Sequence, residues 1–295
     1  MSQANPAGLM IFWDYDTQWG GDRSRAGHGR ADWGALEFPN TDKLLEVHAR
    51  HSIPACFAVV GAAALPGERP YHDPAQVRRI HEAGHEVGSH SFHHDWLPGL
   101  KAGDVRRTLK RSKEALEQCI GHRVTTFVPP YNQPFHYPAK LAFSLSERRE
   151  AGPGHTGLHA VCEALAESGY EFCRVAYRPV WKHLFERLTG KRLAGPARIE
   201  RIAGINCVQL NTPCGFDSGA TAMLDRSVRE GGLTVAYGHP HSLFTGGPQD
   251  LKHLEPFLAR AAGYIREGRL APMLPRELTE AGQAAAKTVQ GAARV

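Results

Sequence analysis

The sequence predicts an α/β fold, a single closed or nearly closed (β/α) barrel of seven to eight units. Three observations carry that expectation. Short apolar runs alternate with capped, amphipathic helical stretches, the pattern of parallel βα units. About seven such units fit into the 295 residues, as a barrel requires. No GxGxxG follows the first strand, which argues against a doubly wound open sheet. Neither an internal repeat nor a Pro- or Gly-rich linker divides the chain. One domain over residues 1–285 is expected, with a frayed tail at 286–295.

The elements follow in order. Leu9 to Trp13 reads as a buried strand that delivers Asp14-Tyr15-Asp16 at its end. A polar stretch rich in Gly and Arg, Gly20 to Pro39, reads as a loop. Asn40-Thr41-Asp42 then caps a helix carrying Leu44, Leu45, Val47 and His48 at helical spacing. Pro54 to Val60 is a second strand. Asp73 to Ala83 is a second helix, opened by Asp73-Pro74 and closed by Gly84. Glu86 to Ser91 is a short strand, Gly103 to Ile120 a long helix, and Arg123 to Val128 a strand ending in Pro129-Pro130-Tyr131. A helix runs from the Pro153–Gly157 loop through Ser168, and a strand lies near Phe172 to Val175. Ile205 to Asn211 is a strand, Ser218 to Glu230 a helix, and Leu233 to Tyr237 a late strand. His253 to Glu267 is the last main helix, before an Ala-rich end from Gly282.

Composition excludes several classes. Hydrophobic residues make up 42% and charged residues 22%, which is ordinary for a globular chain and wrong for a disordered or collagen-like one. No apolar run approaches the roughly 20 residues of a membrane span. No secretory signal pattern is visible, so a cytoplasmic location is expected. The net charge of +5 is spread along the chain. Arg78-Arg79, Arg106-Arg107 with Lys110-Arg111, and Arg148-Arg149 fall mostly on helical patterns. A solvated helix face explains them better than a nucleic-acid groove, so no nucleic-acid partner is expected. The six cysteines form no CxxC pair, and Cys56 and Cys207 sit in strand-like runs, as buried free thiols do. The oligomeric state is left open, a homo-oligomer included.

Histidine is the outlier, 17 residues of 295. It is the commonest metal ligand and an acid–base near neutral pH. Three patches stand at the carboxyl ends of expected strands, where the loops of a barrel converge. They are Asp14-Tyr15-Asp16, His90-Ser91-Phe92-His93-His94 and Tyr237-Gly238-His239-Pro240-His241. Asp14 and Asp16 share a face of an extended strand. His90 and His94 are one helical turn apart. His81 and His85 have the same spacing but straddle Gly84, and read as surface. One carboxylate and two histidines leave open positions for water and substrate and suit zinc, iron, cobalt, nickel or manganese. A spare carboxylate is what a hydrolase needs as general base, and a histidine opposite is placed to protonate a leaving group.

Four motifs carry a resemblance. Asp14-x-Asp16, His90-Ser91-x-x-His94, Pro129-Pro130-Tyr131 and Thr234-Val235-Ala236-Tyr237-Gly238-His239 resemble, in order and spacing, those of the polysaccharide deacetylase (NodB-homology, carbohydrate esterase) family. The resemblance spans roughly residues 9 to 242 and is most specific at His-Ser-x-x-His. It implies a distorted (β/α)7–8 barrel that removes acyl groups from amino sugars with a divalent metal, zinc foremost. Asp16, His90 and His94 would be the ligands, Asp14 the base, and His239 the acid, with His241 the alternative. Tyr131 would lend its backbone N–H to the oxyanion. The Asp-x-Asp spacing is similar to the branch that includes peptidoglycan-deacetylase-like and allantoinase-like proteins.

The sequence departs from the family pattern twice. Val128 stands where the family has an Arg that steadies the catalytic carboxylate. No counterpart of the family's later Asp, which tunes the histidine, occurs in Tyr170 to Trp181. Arg174 or Arg178 is placed to supply the missing charge. Trp19, Trp33 and Trp96 are candidates for stacking on a sugar, whereas Trp13 reads as core. Pro130 and Asn132 are candidate substrate contacts. Three readings remain at this point: a deacetylase of an N-acylated sugar or polysaccharide precursor, an amidohydrolase of a small amide or cyclic imide, and a catalytically silent saccharide-binding barrel.

Overall fold

Strict alternation along the first strand decides which residues face the site. The structure, a computed structural model, describes residues 6–24, 32–134, 156–176, 188 and 195–279. In β1 (Ala7–Tyr15), Leu9, Ile11, Trp13 and Tyr15 point outward into one core cluster. Met10 and Phe12 point inward into another, so Asp14 continues the inner face at the strand's last turn. The same alternation puts Cys56 and Ala58 of β2 (Cys56–Val59) inside and Phe57 and Val59 outside.

β3 (Glu86–Ser89), β4 (Thr126–Phe127), β5 (Phe172–Val175), β6 (Ile199–Ile202), β7 (Ile205–Gln209), β8 (Leu233–Gly238) and β9 (Leu270–Pro272) complete the sheet. Its order is β6-β7-β5-β4-β3-β2-β1-β8, with β9 paired to the start of β1. Every pairing is parallel except the β6–β7 hairpin. The two ends of this curled sheet approach through Ala197 and Leu233, which exchange backbone hydrogen bonds of 2.7 and 2.9 Å. A distorted, parallel-rich (β/α) barrel is therefore what the sequence forms.

Helices cover the outer face: α1 (Thr17–Ser24), α2 (Trp33–His51), α3 (Pro74–Glu82), α4 (Ala102–Ile120), α5 (Leu158–Glu167), α6 (Ser218–Glu230) and α7 (Leu251–Arg266). Leu44 and Val47 of α2, Val77 and Ile80 of α3, and Leu109 and Leu116 of α4 bury against the outward strand residues. Asp73, Asp217 and Asp250 cap α3, α6 and α7 through their side chains.

Three expectations need correction. The stretch read as a loop from Gly20 to Pro39 contains α1 and the first turns of α2, which starts at Trp33 and not at the Asn40-Thr41-Asp42 cap. Gly34 and Pro39 mimic a break. Gly34 is a contact residue, since a Cβ there would collide with the Pro70 carbonyl and the Gln18 backbone. The second correction is His85, which is buried and accepts the Ala55 N–H through Nδ1 at 3.0 Å, while His81 is half-buried. The third is the list of strands, which left out β6, a mostly exposed edge strand whose isoleucines, Ile199 and Ile202, flank Glu200 and Arg201.

Other expectations fit. All six cysteines are free thiols. Arg78 and Arg79 of α3 and Arg106, Arg107, Lys110 and Arg111 of α4 are exposed, and several pair with acids, as Arg79 does with Asp42 and Arg106 with Glu167. Among the described residues no helix is long and apolar enough to cross a membrane. Arg148-Arg149, Arg178 and the tail at 286–295 lie outside the described residues.

Candidate active site

Asp16, just past β1, meets His90 and His94, just past β3, at the carboxyl rim of the barrel. Asp16 Oδ1 lies 3.4 Å from His90 Nε2 and 3.5 Å from His94 Nε2, and one ligand atom from each residue falls within 4.8 Å of the others. All three side chains are buried. His90 Nδ1 lies 2.8 Å from the Val128 carbonyl, which requires its N–H there and leaves a lone pair on Nε2. Asp16 Oδ1 has no hydrogen-bond donor. Burial depresses His94 to about 4, so that ring is neutral near pH 7. Two imidazole lone pairs and an undonated carboxylate oxygen, facing one another out of water, fit a divalent cation.

The two histidines do not converge through a helical turn. Residues 91–93 form a tight turn, with Ser91 (φ 61°) and His94 (φ 58°) in the left-handed region. Ser91 Oγ accepts the Asp95 N–H at 2.6 Å, and Asp95 accepts the His93 N–H at 3.1 Å and the Thr108 hydroxyl. His93 turns away from the ligand side and packs on Trp19.

Asp14 is left free of the ligand set and is held from β5. Arg174 donates to both its carboxylate oxygens, each at 2.7 Å, and both side chains are buried. Arg174 also donates to Asn132 Oδ1 at 2.9 Å and lies over the rings of Phe12 and Tyr237. Burial alone would raise the Asp14 pKa, but the Arg174 charge and hydrogen bonds together with His90 and His239 outweigh it and hold the carboxyl below its usual range. Val128, meanwhile, packs into the inner core.

His239 follows β8, with Nε2 4.0 Å from Asp14 Oδ2. Its Nδ1 lies 2.9 Å from Gln249 Oε1 and 3.6 Å from Cys214 Sγ. Gln249 Oε1 also accepts the His239 backbone N–H at 2.5 Å. Burial would lower the His239 pKa, yet Cys214, Asp16 and Asp14 together push it well up.

Comparison with known proteins bears on this geometry. Residues 32–145 match the family model of polysaccharide deacetylase. Over that stretch the chain is similar to polysaccharide deacetylases. A peptidoglycan-N-acetylglucosamine deacetylase of Listeria monocytogenes is 32% identical over 91 residues, 31% of this chain and 18% of that protein. A chitooligosaccharide deacetylase of Sinorhizobium fredii is 34% identical over 92 residues, 31% of this chain and 40% of that one. The chain thus spans well under half the length of these relatives. A polysaccharide-deacetylase-type structure from Mycobacterium smegmatis superposes with a TM-score of 0.66 at 17% identity, covering 97% of this chain and 93% of that one. Puue allantoinase superposes with a TM-score of 0.55 at 14% identity, covering 90% and 86%. These two likenesses concern the fold.

The barrel places the other expected residues around the rim. Tyr131, in a 3-10 turn with φ 58°, sets its ring against His94 and Trp96, with centroids 4.6 and 5.3 Å away. Pro130 opens that turn and is buried. Asn132 is engaged with Arg174 and, through Nδ2 at 3.2 Å, with the Tyr237 hydroxyl. His241 stacks on Trp33, rings 4.2 Å apart and 6° from parallel, so of the two histidines it is His239 that faces Asp14. Trp19 is half-buried among Tyr71, His72 and His93, and Trp13 is core.

Sequence reasoning missed Gln249 and Glu37. Neither lies in a strand-end patch, and nothing local marks them. Arg174 had a readable signal: it alternates with Phe172 and so shares the inner face of β5.

Proposed function

We propose that this domain is a metal-dependent hydrolase of amide bonds that N-deacetylates an N-acetylated amino sugar or oligosaccharide. The observation that carries the reading is a division of labour between two buried carboxylates. Asp16 faces two imidazole lone pairs, whereas Asp14, two residues earlier, is kept ionised by Arg174 and stands 4.0 Å from His239. A binding-only barrel has no use for a second carboxylate desolvated and paired in this way.

Asp16, His90 and His94 would hold the cation. Zinc fits the donor set, and cobalt, nickel, iron(II) or manganese are also accommodated. When bound, such an ion lowers the pKa of a coordinated water and polarises the amide carbonyl. Asp14 accepts the proton of the attacking water, with Arg174 fixing the direction of its lone pairs. The Tyr131 N–H is assigned to the oxyanion of the tetrahedral intermediate. His239, held by Gln249 on its far nitrogen, donates from Nε2 to the departing amine, a poor leaving group unless protonated.

The substrate class comes from the relatives, whose names specify N-acetylglucosamine in peptidoglycan and chitooligosaccharide. Trp96, Tyr131 and the Trp33–His241 pair supply aromatic surface at the rim for a sugar ring. The test is acetate release from N-acetylglucosamine oligomers by zinc- or cobalt-loaded protein, beside a panel of small amides and cyclic imides. Metal-dependent acetate release supports the reading. Hydrolysis confined to the small amides or imides would overturn the sugar assignment, and no turnover on either would overturn the hydrolase.

A further inference from the structure

Asp16 is constrained on every side except the one that faces His90 and His94. Its backbone N–H donates to Glu37 Oε1 at 3.1 Å, and the next N–H, of Thr17, donates to Glu37 Oε2. Its carbonyl accepts the Gly20 N–H at 3.1 Å. Its side chain packs so closely on α1 that a Cβ at Gly20 would stand 2.5 Å from Asp16 Cβ. Oδ1, the oxygen that faces His90 and His94, is buried without a hydrogen-bond donor among the described residues.

The turn that achieves this is unfavourable by itself. Thr17 has φ 53°, the left-handed region, where a β-branched residue is an outlier. Both N–H groups at the turn converge on one carboxylate, and they belong to the N-terminal end of α1, where a negative charge is favoured. Glu37 is fully buried, with no cation paired to it among the described residues. A buried carboxyl group without such a partner is costly unless its oxygens are hydrogen-bonded, and both oxygens of Glu37 accept backbone N–H groups. It does not join the ligand set, because both its oxygens are taken by the backbone.

The helix that carries Glu37 is anchored at its other contacts. Asn40, three residues on, donates to the Pro240 carbonyl at 2.8 Å, and Trp33, four residues back, stacks on His241. One face of α2 therefore touches both the Asp16 turn and the loop after β8.

We propose that Glu37 is a positioning residue for the metal centre: it locks the left-handed turn after β1 and so aims Asp16 at His90 and His94. The inference rests on the metal reading above. Groups that hold a metal ligand in place typically change affinity 10- to 100-fold when lost. Glu37→Gln keeps the length and volume but presents an NH2 group to one of the two N–H donors. Gly20→Ala pushes Asp16 from the opposite side without touching Glu37.

The experiment is competition for zinc between the full chain and a chromophoric chelator, with urea unfolding of the metal-free proteins alongside. Wild type should bind one zinc. Glu37→Gln should bind about 10- to 100-fold more weakly, and Gly20→Ala should weaken binding in the same direction. Glu46→Gln, on the exposed face of the same helix, should match wild type. If Glu37→Gln fails to fold, Glu37→Asp, which keeps the acid but shortens its reach to the two N–H groups, carries the test. Affinities of the folded variants within twofold of wild type would overturn the positioning role while leaving the metal centre standing. A wild type that takes up no zinc would remove the centre and the positioning role with it.

Discussion

Arg174 grips Asp14 with two 2.7 Å hydrogen bonds across the inside of the barrel, from β5 to β1. Both groups are out of water, so each depends on the other: breaking a buried pair from one side costs about 3–5 kcal/mol. Arg174→Leu should lower unfolding stability by roughly that amount in urea titrations. Arg174→Leu with Asp14→Asn should recover part of the loss, because the stranded charge is gone. A loss in the double variant equal to the sum of the two single-variant losses would show that the pair is not coupled.

Asp14 and Asp16 should separate in a metal assay. Asp14→Asn should keep the metal and lose turnover by about 100- to 10,000-fold, the usual range for a general base. Asp16→Asn should lose metal and turnover together. Mass-spectrometric metal content and acetate release on the same samples measure both. Turnover that survives Asp14→Asn at full metal content contradicts the base assignment.

His239 has a neutral partner, Gln249, and a thiol beside it in Cys214. Burial pulls the imidazole pKa down and Cys214 is the largest influence pushing it up. A general acid works only while protonated, so activity should fall as pH rises through its pKa. Cys214→Ala should therefore move the alkaline limb of the pH–rate profile to lower pH. An unmoved limb would show that Cys214 does not act on His239.

Stability should depend on pH through groups far from the site. His48 takes a hydrogen bond from Trp13 Nε1 at Nε2 and donates from Nδ1 to Ile53, an arrangement for the neutral ring only. Burial lowers it to about 3, and burial likewise lowers His85 to about 4. Unfolded histidines titrate near 6.5. Below that pH the unfolded chain binds more protons, so stability falls with pH until about 3 to 4. Glu86 acts in the opposite sense. Burial raises it to about 7, so its contribution is full below the ordinary carboxylate pKa and is lost as pH rises to about 7. Between roughly pH 4.5 and 6.5 two groups oppose one, a net slope of about 1.4 kcal/mol per pH unit. Urea titrations of Glu86→Gln should show a steeper fall on acidification than wild type; a shallower one would contradict this sign.

The strand ends were legible because a period of two leaves little freedom. Met10 and Phe12 put Asp14 on the inner face, and Val235 and Tyr237 do the same for His239. Phe172 selects Arg174 by the same rule. The start of α2 was not legible, since Gly34 and Pro39 signal a break locally and are overridden by the burial of Glu37, Phe38 and Asn40. The His90–His94 spacing was read correctly as a pair and wrongly as a helix, because left-handed Ser91 and His94 leave no mark in composition. Glu37 and Gln249 act through contacts made only once α2 and the loop after β8 are folded.

Zinc content of the purified full chain, beside the His90→Ala/His94→Ala variant, tests the central claim most directly. Near one equivalent in wild type and almost none in the variant is the expected result. Wild type without metal after incubation with zinc, cobalt and iron(II), or a variant that keeps it, would contradict the assignment of Asp16, His90 and His94 as a metal centre.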